Sequence, residues 1–171
     1  MKKTEEMNTT NELIEAVKSK KTFAELGVNE QLVKSVTELG YTHATEIQER
    51  SIPVLISGTK DFIGLAQTGT GKTGAFVLPI LNKLVGNTKT ETNTLIIVPT
   101  RELAIQIEQV VRSMGSGFKV NAVYGGRPMS KDKIEIKHVP AILIGTPGRI
   151  ADHFSNNRFS KTSIKTLILD E

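Results

Sequence analysis

From Gln31 onward the chain alternates between two spacings of apolar residues. Gln31–Leu39 and Thr45–Ile56 place apolar side chains at helical intervals and predict amphipathic helices. Asp61–Ala66 is a short apolar run of strand length that ends in a glycine-rich loop, and Lys72–Leu84 reads as the helix after that loop. Thr94–Val98 is continuously apolar, as a parallel strand buried on both faces requires. Arg101–Met114 returns to the helical period. Lys119–Tyr124, Ala141–Ile144 and Thr166–Asp170 are three further strand candidates, with helical segments Lys131–Lys137 and Pro147–Phe154 between them. Strand and helix in alternation predict an α/β fold with a largely parallel sheet covered by helices on both faces.

Polar stretches complete the organisation. Residues 1–21 carry many lysines and glutamates and read as a flexible polar leader with a short helix possible around Asn11–Lys18, which leaves 22–171 as one domain. Gly86–Asn93 and Ser155–Ser163 read as exposed loops. The 171 residues are enough for one substantial core. With no cysteine, disulfides and thiolate metal sites are excluded. His43, His138 and His153 lie far apart and read as surface or structural residues rather than metal ligands. The first ten residues lack the apolar core of a secretory signal, and no run is long enough to span a membrane, so a cytoplasmic protein is expected. A net charge of +4 favours a polyanionic partner only slightly.

The sharpest local pattern is Ala66-Gln67-Thr68-Gly69-Thr70-Gly71-Lys72-Thr73, which follows a strand candidate and opens a helix candidate. That context defines a phosphate-binding P-loop. Glycines allow the tight turn, successive backbone N–H groups and the helix N-terminus attract phosphate oxygens, Lys72 reaches the β- and γ-phosphates, and Thr73 offers a hydroxyl to Mg²⁺. Ala66 stands where the general pattern has its first glycine. At the other end, Leu167-Ile168-Leu169-Asp170-Glu171 is an apolar strand that delivers two acids. Asp170 suits a magnesium ligand, and Glu171 suits the base that orients and deprotonates a water. The two patterns together predict an NTPase with Lys72, Asp170 and Glu171 as its catalytic set.

Four further segments narrow the class. Gly40-Tyr41-Thr42-His43-Ala44-Thr45-Glu46-Ile47-Gln48, with Phe23 upstream, resembles the Q motif of DEAD-box RNA helicases. In that resemblance Phe23 packs on adenine, and Thr45 and Gln48 join the ATP site with Gln67, Thr68, Gly69, Thr70, Gly71, Lys72 and Thr73. The Gln48 amide donates and accepts at once, which matches the edge of adenine. Ala44 stands where the family usually has proline. Pro99-Thr100-Arg101-Glu102-Leu103-Ala104 resembles motif Ia, Tyr124-Gly125-Gly126 the GG element, and Thr146-Pro147-Gly148-Arg149 motif Ib. The resemblance implies that these loops hold the sugar–phosphate backbone of single-stranded or duplex RNA, with Pro99, Thr100, Arg101, Gly125, Gly126, Thr146, Pro147, Gly148 and Arg149 as contacts. Such contacts carry no sequence information. The alternative for each loop is structural, with Thr100 and Thr146 as helix caps and Arg101 paired to an internal acid.

The resemblance implies a RecA-like P-loop domain that uses ATP and Mg²⁺, with a C-terminally incomplete sheet. A second RecA-like domain, which supplies arginine fingers, lies outside these residues, so the fragment alone is expected to be inactive. The family's sheet places a further strand between the P-loop strand and the strand that ends in Asp170. Without it, the neighbouring edges would be left open and an isolated fragment would be marginally stable. Three other readings remain at this point. They are a non-catalytic fragment that binds ATP or RNA, a DNA helicase of the same superfamily, and a P-loop ATPase acting on protein or small molecules.

Overall fold

The computed structural model describes residues 21–87, 91–115 and 117–171, with backbone only for Lys133 and Glu135. The helix expected at 11–18, and the leader through residue 20, lie outside the described residues. The chain divides into two compact units, Met1–Asn82 and Lys83–Glu171.

The first unit is helical. Helix α1 spans Glu30–Glu38, α2 Glu46–Ser57, and α3 Lys72–Leu84. Asn29 caps α1 by accepting from the Gln31 N–H, and Glu30 adds a favourable charge to the first turn. Leu32 and Val36, one turn apart, are buried. The Asn29 N–H donates to Asn82 Oδ1 at 2.6 Å, which ties the start of α1 to α3. Helix α2 ends at Gly58 in the left-handed conformation. Pro79 lies inside α3 and has no N–H for the carbonyl of Ala75. Ser51 Oγ, buried on α2, donates to that carbonyl at 3.4 Å. The proline therefore leaves a vacancy that another helix fills.

The second unit is an α/β layer. Strands β1 (Thr94–Ile97), β2 (Val120–Val123), β3 (Ile142–Gly145) and β4 (Thr166–Leu169) form one parallel sheet in the order β2-β3-β1-β4. Thr94 pairs with Ile142 and with Thr166, and Val120 with Ile142, so the three ladders share one register. The helices are α4 (Arg101–Met114), α5 (Met129–Lys137) and α6 (Pro147–Ser155). Leu95, Val123, Ile136, Leu143 and Ile150 form a core, with Phe154 and Phe159 packed at its margin. Every residue of β3 is buried, as a central parallel strand requires.

Two expectations change. Asp61–Ala66 forms no strand, and Ile63 and Leu65 are 89% and 92% exposed. Apolar composition suits a strand, but a strand exists only where a neighbour supplies its hydrogen bonds. The sheet is parallel and flanked by helices as expected, and its edge strand β4 leaves Leu167 and Leu169 56% and 71% exposed. The loop at 86–93 is not exposed throughout. Asn93 bonds to Ala141 and Lys165, and Thr92 is buried beneath a hydrogen bond from Ser163.

Candidate functional site

In the first unit the P-loop turns at Gly69 and Gly71, whose φ angles are +80° and +89°. These are left-handed conformations that side chains resist. A Cβ on Gly71 would sit 2.6 Å from Gln48 Nε2 and 3.0 Å from Thr45 Oγ1. Gln48, which is buried, is therefore fitted against a position that only glycine can occupy. Its Nε2 donates to the Gly71 carbonyl at 3.0 Å, and its Oε1 accepts from the Thr45 N–H at 3.0 Å. The second bond is one half of a capping box at the start of α2. The Thr45 hydroxyl is buried and has no hydrogen bond. Lys72 Nζ donates to the Ala66 carbonyl at 2.8 Å and closes the loop on itself, and Thr70 Oγ1 donates to the Gln67 carbonyl. Thr73 lies in the first turn of α3 and is half-buried. A depression of about 250 Å³ is lined by Thr45, Glu46, Ile47, Arg50, Leu65, Ala66, Gln67 and Thr70. Phe23 is buried within its unit.

The orphaned Thr45 hydroxyl, the glycine turn and the lysine at a helix N-terminus form a donor-rich cradle suited to a nucleoside triphosphate. Lys72, Thr73 and Gln48 fit such a group by their chemistry.

In the second unit three loops leave the C-terminal ends of adjacent strands. Pro99, Thr100 and Arg101 follow β1 and are exposed. Thr100 Oγ1 accepts from the Leu103 N–H, so it caps α4 as its structural reading has it. Arg101 Nε pairs with Glu102 Oε1 at 2.5 Å. The hydrogen bond from Arg101, more than its charge, holds the Glu102 carboxyl below its ordinary range. Gly125 and Gly126 follow β2 and are exposed, and Gly126 has φ +86°. A Cβ there would lie 3.5 Å from Arg101 Nη1, so the β1 and β2 loops approach each other. Thr146, Pro147, Gly148 and Arg149 follow β3. Pro147 opens α6, where a missing N–H costs nothing.

Arg149 faces inward. Its Nε donates to the Tyr124 carbonyl at 3.1 Å and lies 3.0 Å from Asp132 Oδ2, and its Nη2 donates to the Arg127 carbonyl. Asp132 is fully buried. Its other oxygen accepts from Arg127 Nε at 2.6 Å, and His153 Nε2 reaches Oδ2 at 3.0 Å. His153 is thus structural, one of the two roles expected for it. Asp132 and Arg127 were not singled out from sequence. Asp132 sits on α5 among other charged residues, and nothing in that polar pattern marks it. Arg127, directly after the double glycine, carried the one available hint. Asp170 follows β4, and its N–H donates to the Ile97 carbonyl at 3.1 Å; Glu171 is exposed. Lys72 and Thr73 belong to the first unit, and Asp170 and Glu171 to the second.

Comparison with known proteins identifies the family. The family model of the DEAD/DEAH box helicases matches residues 45–171. The ATP-dependent RNA helicase CshA of Listeria monocytogenes is 45% identical over 151 residues, covering 87% of this chain and 29% of the relative. The ATP-dependent rRNA helicase rrp3 of Aspergillus terreus is 43% identical over 170 residues, covering 98% of this chain and 38% of the relative. The chain therefore spans about a third of the length of these relatives. The crystal structure of a hypothetical ATP-dependent RNA helicase from Sulfolobus tokodaii superposes with a TM-score of 0.75 at 33% identity, over 84% of this chain and 41% of that one. With the parallel sheet, the glycine cradle beside Gln48 and the loops of the second unit, these matches place the chain in the DEAD/DEAH box helicase family.

Proposed function

We propose that the chain is the ATP-binding half of an RNA helicase core, which couples ATP hydrolysis to RNA remodelling once a second RecA-like domain closes on it. In this reading the first unit holds ATP through Phe23, Thr45, Gln48 and the loop Gln67–Thr73. Lys72 neutralises the β- and γ-phosphates. By the family resemblance Thr73 of the first unit and Asp170 of the second would each offer an oxygen to Mg²⁺, which when bound would offset charge on the phosphates. Glu171 orients water and accepts its proton. Gln48 supports adenine selectivity because its amide is already fixed at both ends, and an oriented amide loses little freedom on binding. The second unit holds the sugar–phosphate backbone of RNA, and a cytoplasmic location follows from the same reading. Among the described residues no helix is long and apolar enough to cross a membrane.

The observation that carries the RNA half is the convergence of the Arg101, Gly126 and Thr146 loops on one end of a parallel sheet, the end where open α/β sheets bind ligands. Two exposed glycines let a phosphate reach the main chain, and α4 and α6 begin beside them. In this reading the arginine finger comes from the second RecA-like domain, and such a finger contributes roughly 10³–10⁵ in rate. The 171-residue chain should bind a non-hydrolysable ATP analogue and a single-stranded RNA separately. Its RNA affinity should fall steeply with salt, and single-turnover hydrolysis should be negligible. RNA binding indifferent to salt would refute the backbone groove. Hydrolysis at the rate of a whole helicase would refute the need for the second domain. Equal affinity for single-stranded DNA and RNA would favour a DNA helicase.

A further inference from the structure

We propose that Asp132 is a positioning residue that sets the two RNA-backbone loops of the second unit through Arg127 and Arg149; this rests on the RNA-groove reading above. Asp132 is 0% exposed on α5, and both of its oxygens are occupied by cationic or imidazole donors. Arg127 spans from Asp132 Oδ1 to the Ala122 carbonyl, 2.8 Å from its Nη2, and its guanidinium lies 4.8 Å from the centre of the Tyr124 ring. Arg149 spans from Asp132 Oδ2 to the carbonyls of Tyr124 and Arg127. The two carbonyls flank Gly125 and Gly126. One carboxylate therefore ties together the end of β2, both sides of the double-glycine turn, and the first turn of α6.

His153 completes the anchor from the next turn of α6. It is 0% exposed, its Nδ1 has no hydrogen-bond partner, and its link to Asp132 is through Nε2. Burying a carboxylate is unfavourable unless charged donors surround it, and an apolar substitute of the same shape often serves stability as well. Stability alone therefore gives weak reason for two arginines on one acid. What the cluster does supply is fixed orientation. The rigid Arg149 fork holds the two carbonyls that flank a turn whose glycines have no side chains to anchor it, and the Arg127 fork holds the Ala122 carbonyl of β2 just before that turn. All three nitrogens of the Arg149 guanidinium have partners inside the protein, Nη1 with Met129 Sδ at 3.7 Å. Arg149 then acts on RNA through the turn it holds.

Charge and position make opposite predictions for Asp132→Asn. Removing a negative charge beside a polyanion site should by electrostatics alone strengthen RNA binding and steepen its salt dependence, by about 0.7 in log–log slope per cation gained. Loss of positioning should instead weaken binding about tenfold. The assay is anisotropy of a labelled oligouridylate with the full 171-residue chain across a salt series, with circular dichroism and affinity for an ATP analogue measured alongside. Arg127→Lys is the second variant. It keeps the charge but loses the fork, so it should bind about three- to tenfold more weakly with an unchanged salt slope. It also decides the matter if Asp132→Asn does not fold. Unchanged or tighter RNA binding by the folded variants overturns the proposal, as does a parallel loss of ATP-analogue affinity, which would mean general damage to the fold. If the unsubstituted chain shows no salt-dependent RNA binding, the groove reading fails and the positioning role falls with it. If that chain binds and both variants match it, only the positioning role fails.

Discussion

Arg101 and Glu102 hold each other across 2.5 Å with side chains 62% and 67% exposed. An exposed pair of neighbours contributes little and exchanges readily for a stronger anion. In the proposed groove Glu102 therefore competes with phosphate for Arg101. Glu102→Gln should raise affinity for single-stranded RNA about two- to fivefold and steepen its salt dependence, as read by anisotropy. Acidification should mimic the substitution. The Glu102 carboxyl is held below its ordinary range, so the pair stays intact above that range and is lost as pH falls through the depressed value. The pair's small stabilising effect vanishes over the same window, while RNA affinity rises. A Glu102→Gln variant that still gains affinity on acidification would assign that rise to another group. Gly71 gives a second prediction at this scale. Alanine there must adopt φ +89° and place a Cβ 2.6 Å from Gln48 Nε2. Gly71→Ala should cost about 1–3 kcal/mol in a denaturant melt and lower affinity for an ATP analogue. These residues were legible from sequence because their chemistry requires a fixed order along the chain. Asp132 was not, since its partners lie five, seventeen and twenty-one positions away and meet only after folding.

At the scale of elements, the sequence was legible wherever local period and tertiary packing ask for the same residues. Lys72–Leu84 and Arg101–Met114 form helices over the expected spans because their apolar residues, Ala104, Ile107 and Val111 among them, recur on one buried face. Asp61–Ala66 shows the opposite case, since an extended run becomes a strand only through a partner elsewhere in the chain. Strand β3 also carries a constraint invisible to hydropathy. Gly145 ends it with space for no side chain, because a Cβ would meet the Val123 carbonyl at 2.6 Å and Ile150 Cδ1 at 2.7 Å. Both contacts lie where β2, β3 and α6 close together beneath the Thr146 loop. Overpacking of this kind costs about 1–3 kcal/mol. Gly145→Ala should therefore lower the midpoint of thermal unfolding and loosen the loops above it, with protection of the Thr146 amide falling in hydrogen exchange. An unchanged melt would show that β3 and α6 can part without penalty.

At the scale of the molecule, the apolar surface is unevenly distributed. Ile63, Leu65, Leu167 and Leu169 are each more than half exposed, whereas Leu95, Ile96, Ile142, Leu143 and Ile144 of the inner strands are buried. The last two of the exposed set lie on β4, which forms one edge of the parallel sheet. An edge strand that carries bare leucines is a template for pairing with another chain. The chain should therefore associate with rising concentration, and light scattering should detect it at micromolar levels or above. Leu167→Thr with Leu169→Lys removes the apolar face but keeps residues that a strand edge accepts. Since both side chains are already in water, the double variant should shift stability by no more than about 1 kcal/mol. Scattering should then drop while the thermal midpoint holds. If the midpoint falls sharply instead, these leucines are packed in solution. If scattering persists with the midpoint unchanged, the adhesive surface lies elsewhere, and Ile63 and Leu65 become the next pair to replace.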